Sequence, residues 1–275
     1  STPGDTVLDL AGVSLFDNAQ DARLVDINLT VHGGEVVGIA GVQGNGQTEL
    51  VEAITGLSAV TTGEIGFAGE DITRASVRQR HRMGIAHIPE DRHKSGMVGK
   101  FTVAENMVLN SYYDESVTSG VQIDWRRVHA RAAEACLSYD VRTPSIFLGA
   151  GSLSGGNQQK MVVARELERD VKLIVASQPT RGVDVGSIEY IHQQLIACRD
   201  HGNAVLIISS ELDEILDLSD RIYVMFEGRI AAKFDNRGAG ADRNAIGLAM
   251  AGVSRSENRS ENRGENRGES RGDAA

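Results

Sequence analysis

The clearest pattern along the chain is an alternation. Val25, Ile27, Leu29 and Val31 are apolar, while Asp26, Asn28 and Thr30 between them are polar. A period of two predicts a strand buried on one face, of the antiparallel kind. Residues 7–15 ahead of it predict a strand pair or one bent strand, and Gly33-Gly34 a turn behind it. The texture then changes. Residues 36–40 are apolar without a break, as a strand buried on both faces should be; 204–208 and 222–226 read the same way, and 172–176 reads as another buried strand after its opening Lys172. Residues 64–67, 84–88 and the alternating 230–234 predict further strands.

Between these lie positions at helical spacing: Leu50, Val51, Ile54 and Leu57; Met161 to Ala164 with Leu167; Ile188, Ile191, Leu195 and Cys198; and 212–216. Strands alternating with helices predict an α/β core with a mainly parallel sheet and right-handed crossovers. Residues 93–155 predict an inserted helical lobe. In it Thr102 and Glu105 form a capping box, and a helix begins near Asp124 carrying Trp125, Val128, Ala132 and Ala135 on one stripe. Trp125 is expected in the core or at the edge of that lobe rather than as a stacking platform. Residues 1–5 read as a linker or cloning scar, and 6–252 as one domain. Residues 253–275, where SENR-like tetrapeptides repeat without apolar side chains, are expected to be a disordered tail.

Composition narrows the function. The chain has 275 residues, 41% of them hydrophobic, enough for one large domain. The formal net charge of −10 offers no basic excess for nucleic acid. Two distant cysteines, Cys136 and Cys198, predict no disulfide framework and point to a reducing compartment. No apolar run is long enough to span a membrane, no signal-peptide pattern opens the chain, and the seven histidines have no metal-ligand spacing.

Three stretches carry chemistry. At 153–160, LSGGNQQK, Ser154 precedes two glycines at the start of a predicted helix. The first-turn N–H groups lack partners within the helix and the dipole favours an anion, while Gly155 and Gly156 allow close approach. On its own the stretch reads first as an ordinary capped helix after a Gly/Ser loop, and its place between 41–48 and 177–184 is what favours the anion site. At 41–48, GVQGNGQT follows a strand and opens a helix, the context of a phosphate loop. At 177–184, SQPTRGVD follows a buried strand.

Taken in order, GVQGNGQTEL (41–50), IPEDR (88–92), LSGGNQQK (153–160), QPTRGVDVG (178–186), ISSELDEI (208–215) and IGLAMAG (246–252) resemble the nucleotide-binding domain of ATP-binding-cassette (ABC) transporters. More narrowly, the chain is similar to the second cassette of the tandem ATPase subunit of bacterial simple-sugar and nucleoside importers. The resemblance covers about residues 6–252. It implies an α/β P-loop NTPase fold: a mainly parallel sheet flanked by helices, an antiparallel β-subdomain and an inserted helical lobe. It also implies ATP with Mg²⁺ as cofactors and a cytoplasmic, peripheral position on the cell membrane. The implied partners are the first cassette of the same subunit, permease subunits and, indirectly, a substrate-binding protein, with no nucleic acid. Because this chain starts where a second cassette would start, it is expected to be an excised half.

Against that pattern the resemblance assigns Gly41, Gly44, Asn45, Gly46, Gln47 and Thr48 to nucleotide binding, with Gln47 where lysine is usual. Thr48 and Ser177 stand at the Mg²⁺ positions, Ser177 in place of aspartate. Gln178 stands at the general-base position, Ser210 at that of the switch histidine and Glu90 at that of the lid glutamine. Glutamine cannot accept the proton of attacking water, and loss of a general base alone costs about 10²–10⁴ in rate. Four replacements together exceed a single nucleotide-trapping change and predict weak binding and near-background hydrolysis. LSGGNQQK is intact, so Ser154, Gly155, Gly156 and Gln158 are expected to serve a partner cassette's nucleotide in trans. Asp184 belongs at the same seam, or is a helix N-cap, or both. Residues 90–92 are expected either to touch a permease or to form a helix-start charge cluster. Two other functions fit in part: a non-enzymatic nucleotide-sensing module, and a soluble ABC ATPase acting on ribosomes or DNA. The acidic charge and the lack of long insertions argue against the second.

Overall fold

The computed structural model describes residues 3–17, 19–119, 122–238 and 240–253. Of the tail expected at 253–275, residues 254–275 lie outside the described residues. Two long strands, β1 (Thr6–Phe16) and β2 (Ala22–His32), pair antiparallel. The alternation in β2 is interrupted: Val13 faces Ile27, yet Leu15 faces Leu24, and Asp26 has φ +52°. This is a bulge. It buries Leu24 in place of the expected Val25, which is turned half out. A one-residue insertion exchanges the faces of a strand, and the phase read from composition cannot see it.

β3 (Val36–Ala40) is wholly buried and leads through the glycine loop into α1 (Gln47–Thr55). Gly56, at φ +81°, ends that helix, so Leu57 falls outside it and is 59% exposed. β4 (Thr62–Phe67) pairs with β1 and with the short β5 (Glu70–Asp71). Next come α2 (Val77–Met83), with a Ser76–Gln79 capping box, and β6 (Ile85–Ile88). A single π-turn at Arg92–Gly96 follows, its first amides held by Asp91. α3 (Val103–Met107) carries the expected Thr102–Glu105 box.

Only part of the region from 93 to 155 is helical. Residues 108–117 are turns, and β7 (Thr118–Ser119) pairs with β8 (Gln122–Ile123). Asn110, Ser111, Asp114 and Ser116 supply the turn chemistry there. α4 (Trp125–Ser138) starts at Asp124 and buries Val128, Ala132 and Ala135. Trp125 is 43% exposed and leans on His129, so it sits at the edge and not in the core.

The chain continues through α5 (Gly155–Leu167), β9 (Leu173–Ser177), α6 (Val185–Asp200), β10 (Ala204–Ser209), α7 (Leu212–Leu218), β11 (Arg221–Phe226), β12 (Arg229–Asp235) and α8 (Arg243–Met250). The main sheet has the order β12-β11-β3-β10-β9-β6, parallel except for β12. The second sheet, β2-β1-β4-β5, is antiparallel.

Successive residues of the central strands feed different cores. Val37, Ile39, Leu206 and Ile208 pack with α1 and the antiparallel sheet, whereas Val36, Ala40, Val205 and Ile207 pack with α6, α7 and α8. Each fully buried Val, Ile or Leu contributes about 1.5–3 kcal/mol. This explains the unbroken apolar runs: both faces of the sheet are covered. A third core joins α3 and α4 to Met161, Val162 and Ala164 of α5, so α5 ties the lobe to the sheet.

Candidate functional site

In an open parallel sheet the loops at the carboxyl ends of the central strands form the natural binding crevice. Here those ends are the glycine loop after β3, Gln178 after β9, Ser210 after β10 and Pro89-Glu90 after β6. Residues separated by more than a hundred positions meet there.

The glycine loop is folded on itself. Gln47 Nε2 donates to the Val42 carbonyl at 3.0 Å, and Gln47 Oε1 accepts from the Asn45 N–H at 3.1 Å. A methyl group on Gly41 would collide with Gln47 Nε2 and lie 2.9 Å from the Met225 carbonyl. Gly46 has φ +99° and caps α1 without a side-chain bond, leaving the first-turn amides open. A methyl group on Gly44 would meet only open space. Asn45 is tied outward, accepting from the Glu227 N–H at 2.9 Å. Thr48 is exposed.

Gln178 and Ser210 come together, with Ser210 Oγ donating to Gln178 Oε1 at 3.4 Å. Gln178 sits at φ +46°, a left-handed conformation held by its N–H donating to the Ile208 carbonyl at 2.7 Å. Ser177 is buried at the last position of β9. Glu90 bridges two loops: it pairs with Arg181, and Gln43 Nε2 donates to the same carboxylate at 3.3 Å. Asp91 spends its carboxylate on the amides of His93 and Lys94, which hold it below the usual carboxylate range. Glu90, Asp91 and Arg92 are all engaged within the chain.

The tip of α5 has different chemistry. Ser154 is the exposed N-cap, its Oγ accepting from the Asn157 N–H at 3.4 Å and from Asn157 Nδ2 at 3.0 Å. Gly155 is half exposed, but Gly156 and Gln158 are buried. Gln158 is committed inside the chain, reaching the carbonyls of Ala150 and Gly151 and accepting from Arg92. Asp184 caps α6 through the N–H and Oγ of Ser187, bonds that lower its pKa. Ser154, Asn157, Asp184, Ser187, Lys160 and Arg142 line one cleft of about 400 Å³. The helix-cap role expected for Asp184 is therefore present, beside Ser154.

A second groove, of about 360 Å³, separates the sheet domain from the lobe. It is walled by Leu57, Val77, His81 and Lys94 to Val98. Sequence reasoning did not single out Phe16. It is an exposed aromatic at the end of β1, paired with Ala22, and the start of β2 adjoins the glycine loop, with the Arg23 carbonyl 3.1 Å from a methyl placed on Gly46. A lone aromatic at a strand end before polar turn residues was the available signal.

Among the described residues no group of three His, Cys, Asp or Glu side chains could hold a metal ion. The oxygens at the expected Mg²⁺ positions are the hydroxyls of Thr48 and Ser177, and Gln47 occupies hydrogen-bonding groups of its own loop. This donor set does not fit a tightly held Mg²⁺-triphosphate.

The family model described as ABC transporter matches residues 24–181. The chain is 45% identical over 255 residues to the guanosine import ATP-binding protein NupO of Bacillus subtilis, covering 93% of this chain and 50% of that protein. It is 46% identical over 228 residues to the nucleoside import ATP-binding protein NupA of Lactococcus lactis, covering 83% and 45%. The chain thus spans about half the length of the curated relatives it matches. A nucleotide-free ATP-binding cassette from an ABC transporter superposes with a TM-score of 0.73 at 23% identity, over 90% of this chain and 97% of that one, and so shares the fold. With the strand-end loops, the inserted lobe and the matched model in agreement, the chain belongs to the ABC transporter family.

Proposed function

We propose that this chain is the second cassette of a tandem ATPase subunit in an importer of nucleosides or simple sugars, and that it works asymmetrically. Its own glycine loop is degenerate: Gln47 replaces a cation, Ser177 a metal carboxylate, Gln178 a proton acceptor and Ser210 a switch histidine. Its Ser154-Gly155-Gly156 tip serves ATP and Mg²⁺ held by the first cassette, in trans. The observation that carries this reading is the contrast between two sites. Gln47 is bonded back onto Val42 and Asn45, while Ser154 is exposed at a helix N-terminus beside Asp184. Unpaired amides and a helix dipole stabilise an incoming phosphate there. Phe16 is a candidate face for the base of a nucleotide at the chain's own loop.

No helix among the described residues is long and apolar enough to cross a membrane. A peripheral seat on the cytoplasmic face follows from docking on permease subunits, which a substrate-binding protein supplies. The groove lined by Leu57, Val77 and Val98 is the docking face, because the side chains of residues 90–92 are spent inside the chain. The identity to guanosine and nucleoside import proteins favours a nucleoside cargo. The test joins this chain to a first cassette and measures Mg-ATP turnover with Ser154→Arg. Turnover indifferent to that change sinks the trans role. Tight Mg-ATP binding by this chain alone would favour the nucleotide-sensing module instead.

A further inference from the structure

Arg92 bonds to two separate elements, α5 and the turn ahead of Asp184. Its Nε donates to Gln158 Oε1 of α5 at 3.3 Å, one terminal nitrogen to the Arg181 carbonyl at 3.0 Å and the other to the Gly182 carbonyl at 3.3 Å. A methyl group on Gly155 would sit 2.9 Å from a terminal nitrogen of the guanidinium. Gly155 adjoins Ser154, and Gly182 precedes Asp184 by two residues. A planar fork of fixed N–H directions suits three such acceptors, whereas a lysine ammonium is a point donor.

The same segment has a second face. Residues 94–98 wall the groove between the sheet domain and the lobe. They are close-packed at the back, since a methyl group on Gly96 would lie 3.2 Å from Pro89 Cγ and 3.4 Å from Val162 Cγ2. Close packing holds the segment that carries Arg92 in one place. Glu90 adds a parallel tie, pairing with Arg181 and accepting from Gln43 of the glycine loop.

We propose that Arg92 is a positioning residue that makes the Ser154–Gly156 tip and the Asp184 turn one rigid unit. The proposal rests on the trans-signature reading above.

Two readouts on Arg92→Ala and Arg92→Lys test it. In this chain alone, the amides of Ser187 and Ile188, which bond to Asp184, are expected to exchange at least tenfold faster. The amides of β3 and β10 and the thermal midpoint should stay unchanged. In the chain joined to its first cassette, kcat for Mg-ATP is expected to fall roughly tenfold to a hundredfold, the scale of a misplaced catalytic group. KM should remain within about twofold, and lysine should not rescue. Unchanged exchange at Ser187 and Ile188 overturns the clamp. An unchanged kcat, full rescue by lysine, or a matching fall in the thermal midpoint overturns the positioning role. If turnover of the joined protein ignores Ser154→Arg, the trans reading itself fails, while the exchange measurement still judges the clamp.

Discussion

A methyl group on Gly156 would lie 2.5 Å from Asp184 Oδ2 and collide with Ser187 Oγ. The second glycine of the signature tip is therefore required by the contact between two helix N-termini of this chain, before any neighbour is considered. Gly156→Ala is expected to overpack that contact and destabilise the chain by about 1–3 kcal/mol. Urea unfolding of the isolated chain checks it, and a midpoint equal to wild type would refute it. Loss of turnover in Gly156→Asp would accordingly report on folding as much as on nucleotide contact.

Ser154 is the cleaner probe, because its side chain is exposed and its partners are both on Asn157. Ser154→Ala removes only the cap and is expected to cost about 1 kcal/mol. Ser154→Arg should lower stability no further while abolishing turnover in the joined protein. Comparing the two variants by urea midpoint and by Mg-ATP turnover separates cap from contact.

Gln47 predicts an unusual pair of results. Gln47→Lys restores a charge-assisted contact, roughly twice as strong as a neutral one, and is expected to raise Mg-ATP affinity at least tenfold. Gln47→Ala frees the Val42 carbonyl and the Asn45 N–H and should not weaken binding. Calorimetric titration of the isolated chain decides it; weaker binding in Gln47→Ala would show that the amide serves the nucleotide.

His81 and His87 both titrate below the usual imidazole value of 6.5, chiefly because burial penalises the charged ring. His87 also faces Glu166, which opposes the shift, and Arg165, which adds to it. Around His81, Arg169 and Arg165 lower the pKa while Glu166 and Asp114 raise it. Both rings stay neutral in the fold while the unfolded chain takes up protons below about pH 6.5. Their stabilisation is thus complete above 6.5 and is lost as pH falls from there toward the depressed folded values. Urea midpoints from pH 8 to 5 should decline below 6.5, and His81→Gln should flatten the decline.

Arg80 is buried and donates to the carbonyls of Ala53, Ile54, Ile72, Thr73 and Ala75, closing the carboxyl end of α1. Arg80→Leu strands those acceptors, each at about 1–3 kcal/mol if left unpaired in the interior. Little folded protein is expected on expression, judged by circular dichroism; a native-like melting curve would contradict this.

How much could be read without coordinates varies with the range of the interaction. The strands from 36 to 40, 204 to 208 and 222 to 226, the Thr102–Glu105 box and the Asp124 and Ser154 caps follow from contacts within a few residues, which sequence spacing records directly. The bulge that buries Leu24 for Val25 and the stop at Gly56 that expels Leu57 depend on cross-strand register and on one left-handed residue. The order of motifs was likewise enough to indicate the fold, through the family that the series resembles, and four of the six stretches stand at the carboxyl end of a parallel strand.

What needed the tertiary structure is how side chains distant in the chain spend their bonding capacity. Sequence alone determined that Gln47, Gln178 and Ser210 are uncharged side chains, at positions where the resemblance leads one to expect lysine, glutamate and histidine. Only the fold decided that Gln47 turns back onto its own loop and that Gln158 faces inward. It also decided that Arg92 ties α5 to the turn before Asp184. Residue identity states which hydrogen bonds a group can make, but three-dimensional packing selects which of them are made.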